Sequence, residues 1–218
     1  MSVITISREL GSGGGYIAQE LAKSSNYRLV DKAMLEKILK QFGFVQFTQD
    51  YEAASSYWDR MDETRLDMIT TLNRVLQATA SLGNMIMLGR GSFAVFGEYA
   101  NVLNVRLQAP FAVRVKRIMA ERNLTDLAKA EKIVKESDQI RASFIQSWYG
   151  LRWDVASYFN LVIDTSIVSG DTAVEWILSA REGIEKSTAE HKRSLASLVV
   201  DDAVVLRTVR EMIESNAA

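Results

Sequence analysis

Short apolar runs alternate along this chain with stretches whose apolar residues recur every three or four positions, a pattern that predicts strands separated by helices. Residues 3–7, VITIS, form the first run, and residues 8–15, RELGSGGG, form a glycine-rich turn behind it. Over 16–25 the period becomes helical, with Ile17, Leu21 and Ala22 on the buried face. A strand at 27–30 ends at Asp31, which is placed to cap a helix over 33–41 striped with Met34, Leu35 and Ile38. Residues 44–82 carry Trp58, Met61, Leu66, Met68, Ile69, Leu72, Val75 and Leu76 at helical spacing with charges between them, and read as a helical insertion. Further strands are predicted at 85–88, 102–107 and 161–163. Pro110, the only proline, starts a helix that ends near residue 122; others are predicted over 125–148 and 170–186.

Strands that alternate with helices indicate a parallel sheet in α/β layers, with ligands at the carboxyl ends of the strands. The chemistry-bearing segments 8–15, 89–92 and 164–166 fall there, as does Asp31. The tail, 187–218, carries Leu195, Leu198, Val199, Val204, Val205, Leu206, Val209, Met212 and Ile213. It predicts one or two amphipathic helices that pack on the domain or join a second copy in a homodimer.

The glycine turn has the form of an anion cradle. Gly11, Gly13, Gly14 and Gly15 let the backbone bend so that its N–H groups converge on a phosphate, and the helix dipole adds positive charge there. The standard phosphate loop, G-x-x-x-x-G-K-[ST], also supplies a lysine and a magnesium-binding hydroxyl. With Gly13 as the second motif glycine, Gly14 stands at the lysine position and Arg8 at that of the first glycine. Arg8 is therefore the nearest substitute cation, unless it pairs with Glu9. Ser12 is the one hydroxyl available for magnesium, although a hydroxyl before a helix is more often a cap.

Arg90 sits between two glycines after a strand, a setting for a ligand contact or for an ion pair with Asp31 or Asp164. Arg114 and Arg117 share a helix with Lys116, where charge is commonly a solvated face. Arg141 lies near Trp148 and Tyr149, which suit the cover of a closing lid. Asp164 is placed to cap the next turn. His191, the only histidine, lies in the polar stretch AEHKR, so a catalytic triad or histidine metal site is not expected.

Composition narrows the classes. A net charge of −1 over 218 residues gives no global field for nucleic acid or an anionic membrane, and zero cysteines remove thiolate chemistry. No apolar run approaches the ~18 residues of a membrane span, and no leader pattern is visible, so a cytoplasmic protein is expected.

Five segments in order carry a resemblance: ITISRELGSGGGYIAQELA, LVDKAML, IMLGRGSFAVF, VRLQAPFAVRVKRI and NLVIDTS. Together, over roughly residues 3–180, they resemble the nucleoside monophosphate kinases, and among them the cytidylate kinase-like group of P-loop proteins. The resemblance implies a three-layer P-loop fold over 1–186, with a five-stranded parallel sheet, an acceptor-binding insertion at 44–82, a lid at 122–152, and a C-terminal extension from 187. It implies transfer of the ATP γ-phosphoryl to a CMP-like nucleoside monophosphate or another small phosphorylated acceptor, with Mg2+. Gly11, Ser12, Gly13 and Gly14 match the phosphate-loop segment, with Gly15 completing the glycine run; Asp31 and Arg90 match acceptor-binding positions, and Arg117 and Arg141 match lid-side cations. Members of the group commonly carry an arginine one position after the missing lysine, where this chain has Gly15. Two other readings follow from the same residues. One is a catalytically weak nucleotide sensor on this fold. The other is a dinucleotide-binding oxidoreductase, disfavoured because Tyr16 stands where its third glycine or alanine belongs.

Overall fold

The computed structural model describes residues 2–45, 47, 51, 63–186 and 193–215; Trp58, Met61 and His191 lie outside them. The strands are β1 (Val3–Arg8), β2 (Arg28–Val30), β3 (Met85–Leu88), β4 (Val102–Gln108) and β5 (Leu161–Asp164). They form one parallel sheet in the order β2-β3-β1-β4-β5. Every ladder is parallel, so each connection crosses the sheet and all carboxyl ends emerge on one edge. Together with the helices on both faces, this is the expected three-layer α/β architecture.

The pleat of β1 divides the core. Ile4 and Ile6 face a cluster with Ile17, Ala18 and Leu21 of α1 (Gly14–Ser25). The tight packing of Gly170 against Tyr16 sets the last helix of the sheet layer, which Gly170 begins, beside α1. Val3 faces the opposite cluster, built by Met34, Leu35 and Ile38 of α2 (Lys32–Lys40) and Leu72, Val75 and Leu76 of α3 (Glu63–Ser81). A short helix, α4 (Ser92–Val95), follows β3, and the long pair α5 (Phe111–Glu121) and α6 (Leu127–Tyr149) builds a third small cluster around Val115, Ile118, Ala130 and Val134. The sheet layer closes with α7 (Gly170–Lys186). Thr5 and Ser7 are buried on the Val3 side of β1, and each has a partner: Thr5 Oγ1 donates to Asn104 Oδ1 (2.6 Å), and Trp153 Nε1 donates to Ser7 Oγ (2.9 Å).

Helix α1 begins two residues earlier than its apolar period predicts, because Gly13 adopts a left-handed N-cap (φ 76°) and Gly14 and Gly15 are already helical. The tail resolves into a short 3₁₀ turn (Leu195–Ser197) and one helix, α8 (Ala203–Ser215). Its return is fixed by Ala100 N–H to Arg193 O (2.9 Å) and Leu195 N–H to Asn101 Oδ1 (2.8 Å). Leu195, Val205, Val209 and Ile213 are all buried in the α2–α3 cluster. The expected homodimer through this stripe is thereby not supported: intrachain packing takes up Leu195, Val205, Val209 and Ile213, and of the stripe Val199 and Val204 stay exposed. Ile213→Ala is expected to lower stability by about 2 kcal/mol, a midpoint fall of about 4–8 °C, with no change of mass in light scattering. Among the described residues, no helix is long and apolar enough to cross a membrane.

Candidate active site

The glycine loop between β1 and α1 leaves its donors unused. Among the described residues, the N–H groups of Gly13, Gly14, Gly15 and Tyr16 have no acceptor, while Ser12 N–H closes on Glu9 O (3.3 Å). These are the orphan donors of a helix N-terminus, with no side-chain cap to satisfy them. Gly13 and Gly15 have open space where a side chain would stand. Gly11, at φ 83°, has none: a Cβ there would lie 2.8 Å from the carbonyl oxygen of Arg114. The loop opens on a cleft of about 390 Å³ lined also by Arg8, Leu88, Glu121 and Arg141.

Arg8 occupies the space left by the missing lysine. Its side chain runs from the end of β1 across Gly14, where a Cβ would sit 2.7 Å from Arg8 Cγ, and ends against Gly89, where a Cβ would collide with Nη1. No carboxylate lies within ion-pair distance of Arg8 among the described residues; Glu9 pairs elsewhere. Burial, followed by the nearby guanidinium groups of Arg141 and Arg90, pushes the Arg8 pKa down to about 9. The group is a cation held without a counter-ion.

Glu9 and its neighbours form the buttress behind the loop. Glu9 accepts from Arg106 Nη2 (3.3 Å) and from the N–H of Ala109 (3.1 Å), and lies 3.2 Å from Arg114 Nε. Arg114 is buried, donating to Ala109 O (2.9 Å), Leu10 O (3.2 Å) and Asp138 Oδ2 (2.6 Å). Asp138, on α6, also accepts from Leu10 N–H (3.1 Å). Arg117 donates to Gly11 O (3.2 Å) and to Thr165 Oγ1 and O (3.0 and 2.6 Å). Arg114 and Arg117 are therefore not a solvated face: their donors hold the loop backbone.

At the end of β3, three consecutive residues adopt left-handed backbone: Gly89 (φ 78°), Arg90 (φ 54°) and Gly91 (φ 77°). Among the described residues, the other non-glycine residues with positive φ are all asparagines, Asn26, Asn84 and Asn123, which tolerate it. Arg90 is only 6% exposed, and its Nε and Nη2 have no hydrogen-bond partner. It forms no ion pair with Asp31 or Asp164 among the described residues; its guanidinium lies over the Tyr51 ring, 3.7 Å from the centroid. Arg90, Arg141, Arg122 and Tyr51 line a second cleft of about 290 Å³, which shares Arg141 and Leu10 with the loop cleft.

The remaining sequence candidates are placed as follows. Asp31 caps α2 through Met34 N–H (3.0 Å). Asp164 accepts from Ser166 N–H (2.8 Å), and this hydrogen bond, with Arg117 nearby, holds its carboxyl below the usual range. Arg141 donates to Ser137 O (2.8 Å) and Oγ, at the junction of the two clefts. Ser12 requires a correction: the residue has no exposed surface and its hydroxyl donates to Glu9 O (2.8 Å), so it faces the loop interior and not a metal position. Among the described residues, no group of three acidic or histidine side chains gathers around a cation site. The sequence offers Glu9 only as a partner for Arg8, and it does not point to Arg106, Asp138, Tyr51 or Trp153 as site residues. Arg106, a charge inside the apolar run VLNVRLQ, was the one readable signal among them.

A model of the cytidylate kinase-like family matches residues 3–167. The cytidylate kinase of Pyrobaculum islandicum is 26% identical over 174 residues, covering 80% of this chain and 89% of its own. That of Ignicoccus hospitalis is 28% identical over 180 residues, covering 81% and 97%. The crystal structure of an uncharacterized protein from Eubacterium ventriosum shares the fold with a TM-score of 0.66 at 19% identity, over 84% of this chain and 99% of that one. The matched span begins at the first residue of β1, continues past β5, and takes in the glycine loop, Arg90 and Arg141; the chain belongs to the cytidylate kinase-like family.

Proposed function

We propose that the protein transfers the γ-phosphoryl of ATP to a nucleoside monophosphate of the CMP type. Family membership supports a nucleotide-binding phosphotransferase. The observation that carries the finer reading is the pairing of two anion seats across Arg141: unsatisfied loop N–H groups with Arg8 on one side, and the unpartnered edge of Arg90 on the other.

In this reading the loop N–H groups bind the donor phosphates and Arg8 supplies the charge that a loop lysine would give. Arg90 holds the acceptor phosphate, and Asp31, the cap of α2, is assigned to the acceptor nucleoside. An acceptor phosphate oxygen attacks the γ-phosphorus, the bond to the β–γ bridging oxygen breaks, and ADP leaves with that electron pair. Arg141, between the clefts, stabilises the charge on the transferred group. Arg117 acts as a positioning residue through Gly11 and Thr165. Magnesium ordinarily accompanies ATP, but the inward Ser12 does not fit a metal ligand, and no step is assigned to the ion.

Thermal-shift measurements with ATP, GTP, CMP, dCMP, UMP and AMP, with and without magnesium, followed by ADP release, test this reading. ATP with CMP is expected to stabilise the protein and turn over. Arg90→Ala is expected to raise the acceptor KM about thirtyfold and leave the ATP KM within about twofold, the loss of a charge-assisted pair. The missing loop lysine favours the sensor alternative, which predicts nucleotide binding with no ADP release. Failure of every nucleoside triphosphate to shift the midpoint would sink both.

A further inference from the structure

We infer that Tyr51 is the positioning residue for Arg90, holding a buried guanidinium in place without neutralising it. The inference rests on the reading of Arg90 as the acceptor ligand. A buried arginine is ordinarily fixed by a carboxylate, as Arg114 is by Asp138. Such a partner consumes donors and cancels the charge that an anion would meet. Arg90 is fixed differently: its Cζ lies over the face of Tyr51 at 3.7 Å from the centroid, with the Phe47 centroid at 5.7 Å. An aromatic face attracts the cation through its quadrupole and takes none of its N–H groups. Nε and Nη2 stay unpartnered, and these two donors share one edge of the guanidinium, the spacing that meets two oxygens of a phosphomonoester.

The ring is itself anchored. Tyr51 is 4% exposed and packs on Phe144 of α6 with ring centroids 4.7 Å apart. Tyr51 belongs to the acceptor insertion and Phe144 to the helix that carries Arg141. The direction of the Arg90 donors is therefore set jointly by the insertion and the lid helix, not by β3 alone. Tyr51 touches no reacting atom; it acts through Arg90.

The Arg90 Nε–H resonance, identified by its loss in Arg90→Ala, tests the contact in the ligand-free protein. Wild type and Tyr51→Phe are expected to show a ring-shifted, slowly exchanging signal. Tyr51→Leu is expected to return it to the ordinary position with exchange at least about tenfold faster, the weight of one desolvated cation–π contact. An unchanged signal in Tyr51→Leu overturns the proposal. Calorimetry with CMP tests the consequence. Tyr51→Leu is expected to weaken CMP about tenfold and Tyr51→Phe less than about twofold. Adding Tyr51→Leu to Arg90→Ala is expected to have no further effect, and additive losses overturn the proposal. Ile213→Ala, in the tail helix and outside the lining of both clefts, is expected to keep wild-type CMP affinity and so separates positioning from lost stability. Tyr51→Met, which keeps bulk without a ring face, replaces Tyr51→Leu if that variant does not fold. CMP binding by Arg90→Ala equal to wild type would remove the acceptor assignment alone, with the resonance result standing.

Discussion

Arg8→Ala is expected to lower turnover by about 10²–10³-fold while the fold remains intact, the loss of one preorganised charge at the transferred phosphoryl group. The side chain lies against Gly14 and Gly89 with no carboxylate to bind it among the described residues, so the substitution removes an uncompensated charge. Introducing the motif lysine is expected to harm the protein: in Gly14→Lys the new Cβ meets Arg8 Cγ at 2.7 Å and evicts the cation already there. The pH dependence carries the same signature. In the ligand-free fold Arg8 is charged below about pH 9 and bears the cost of burial there, whereas in the unfolded chain it keeps its proton up to the ordinary, higher arginine range. Between those values the unfolded state binds more protons, so ligand-free stability rises with pH. ATP affinity is expected to move the opposite way, holding at neutral pH and falling as pH rises through about 9, where Arg8 sheds its charge. Calorimetric titration with ATP across that range, with Arg8→Ala showing no such fall, checks the sign. Full turnover in Arg8→Ala would remove it from the mechanism.

Glu9→Ala is expected to destabilise the protein by about 3–5 kcal/mol, the range for breaking a buried ion pair from one side. Its carboxylate serves Arg106 and Arg114, whose side chains are only 3% and 8% exposed, and it also accepts from Ala109 N–H. Without it two guanidinium groups remain buried, and Asp138 is the one carboxylate left to Arg114. Glu9→Gln keeps the acceptor for Ala109 and is expected to lose about half as much. Urea unfolding of the two variants measures both; a loss under about 1 kcal/mol for Glu9→Ala would show that the buttress is held by other contacts.

The sheet was legible because each strand is a compact apolar run and the breaks between runs are long enough for crossover helices. The loop was legible because four glycines crowd one strand-to-helix turn. The location of Arg8 was legible from its offset in that turn. Its lodging was not, since the contact with Gly89 comes from a segment far along the chain. Arg114 and Arg117 illustrate the limit. Their helical spacing resembles an ordinary charged face, and only the sheet order, which sets α5 beside the loop, turns them inward. Tyr51 carried no local signal, for an aromatic at helical spacing reads as core until the arginine beneath it is seen. Tail packing was ambiguous for a related reason: an amphipathic stripe specifies that it needs a partner, not whether that partner lies in the same chain.

The left-handed run at Gly89, Arg90 and Gly91 sets durability against purpose. A glycine in the middle of that run would relax the backbone and remove two buried N–H groups with nothing to bind. Laboratory selection for heat resistance alone would therefore drift toward sturdier, idle proteins at this position, and retention of arginine under such pressure would itself report that the chain is still at work.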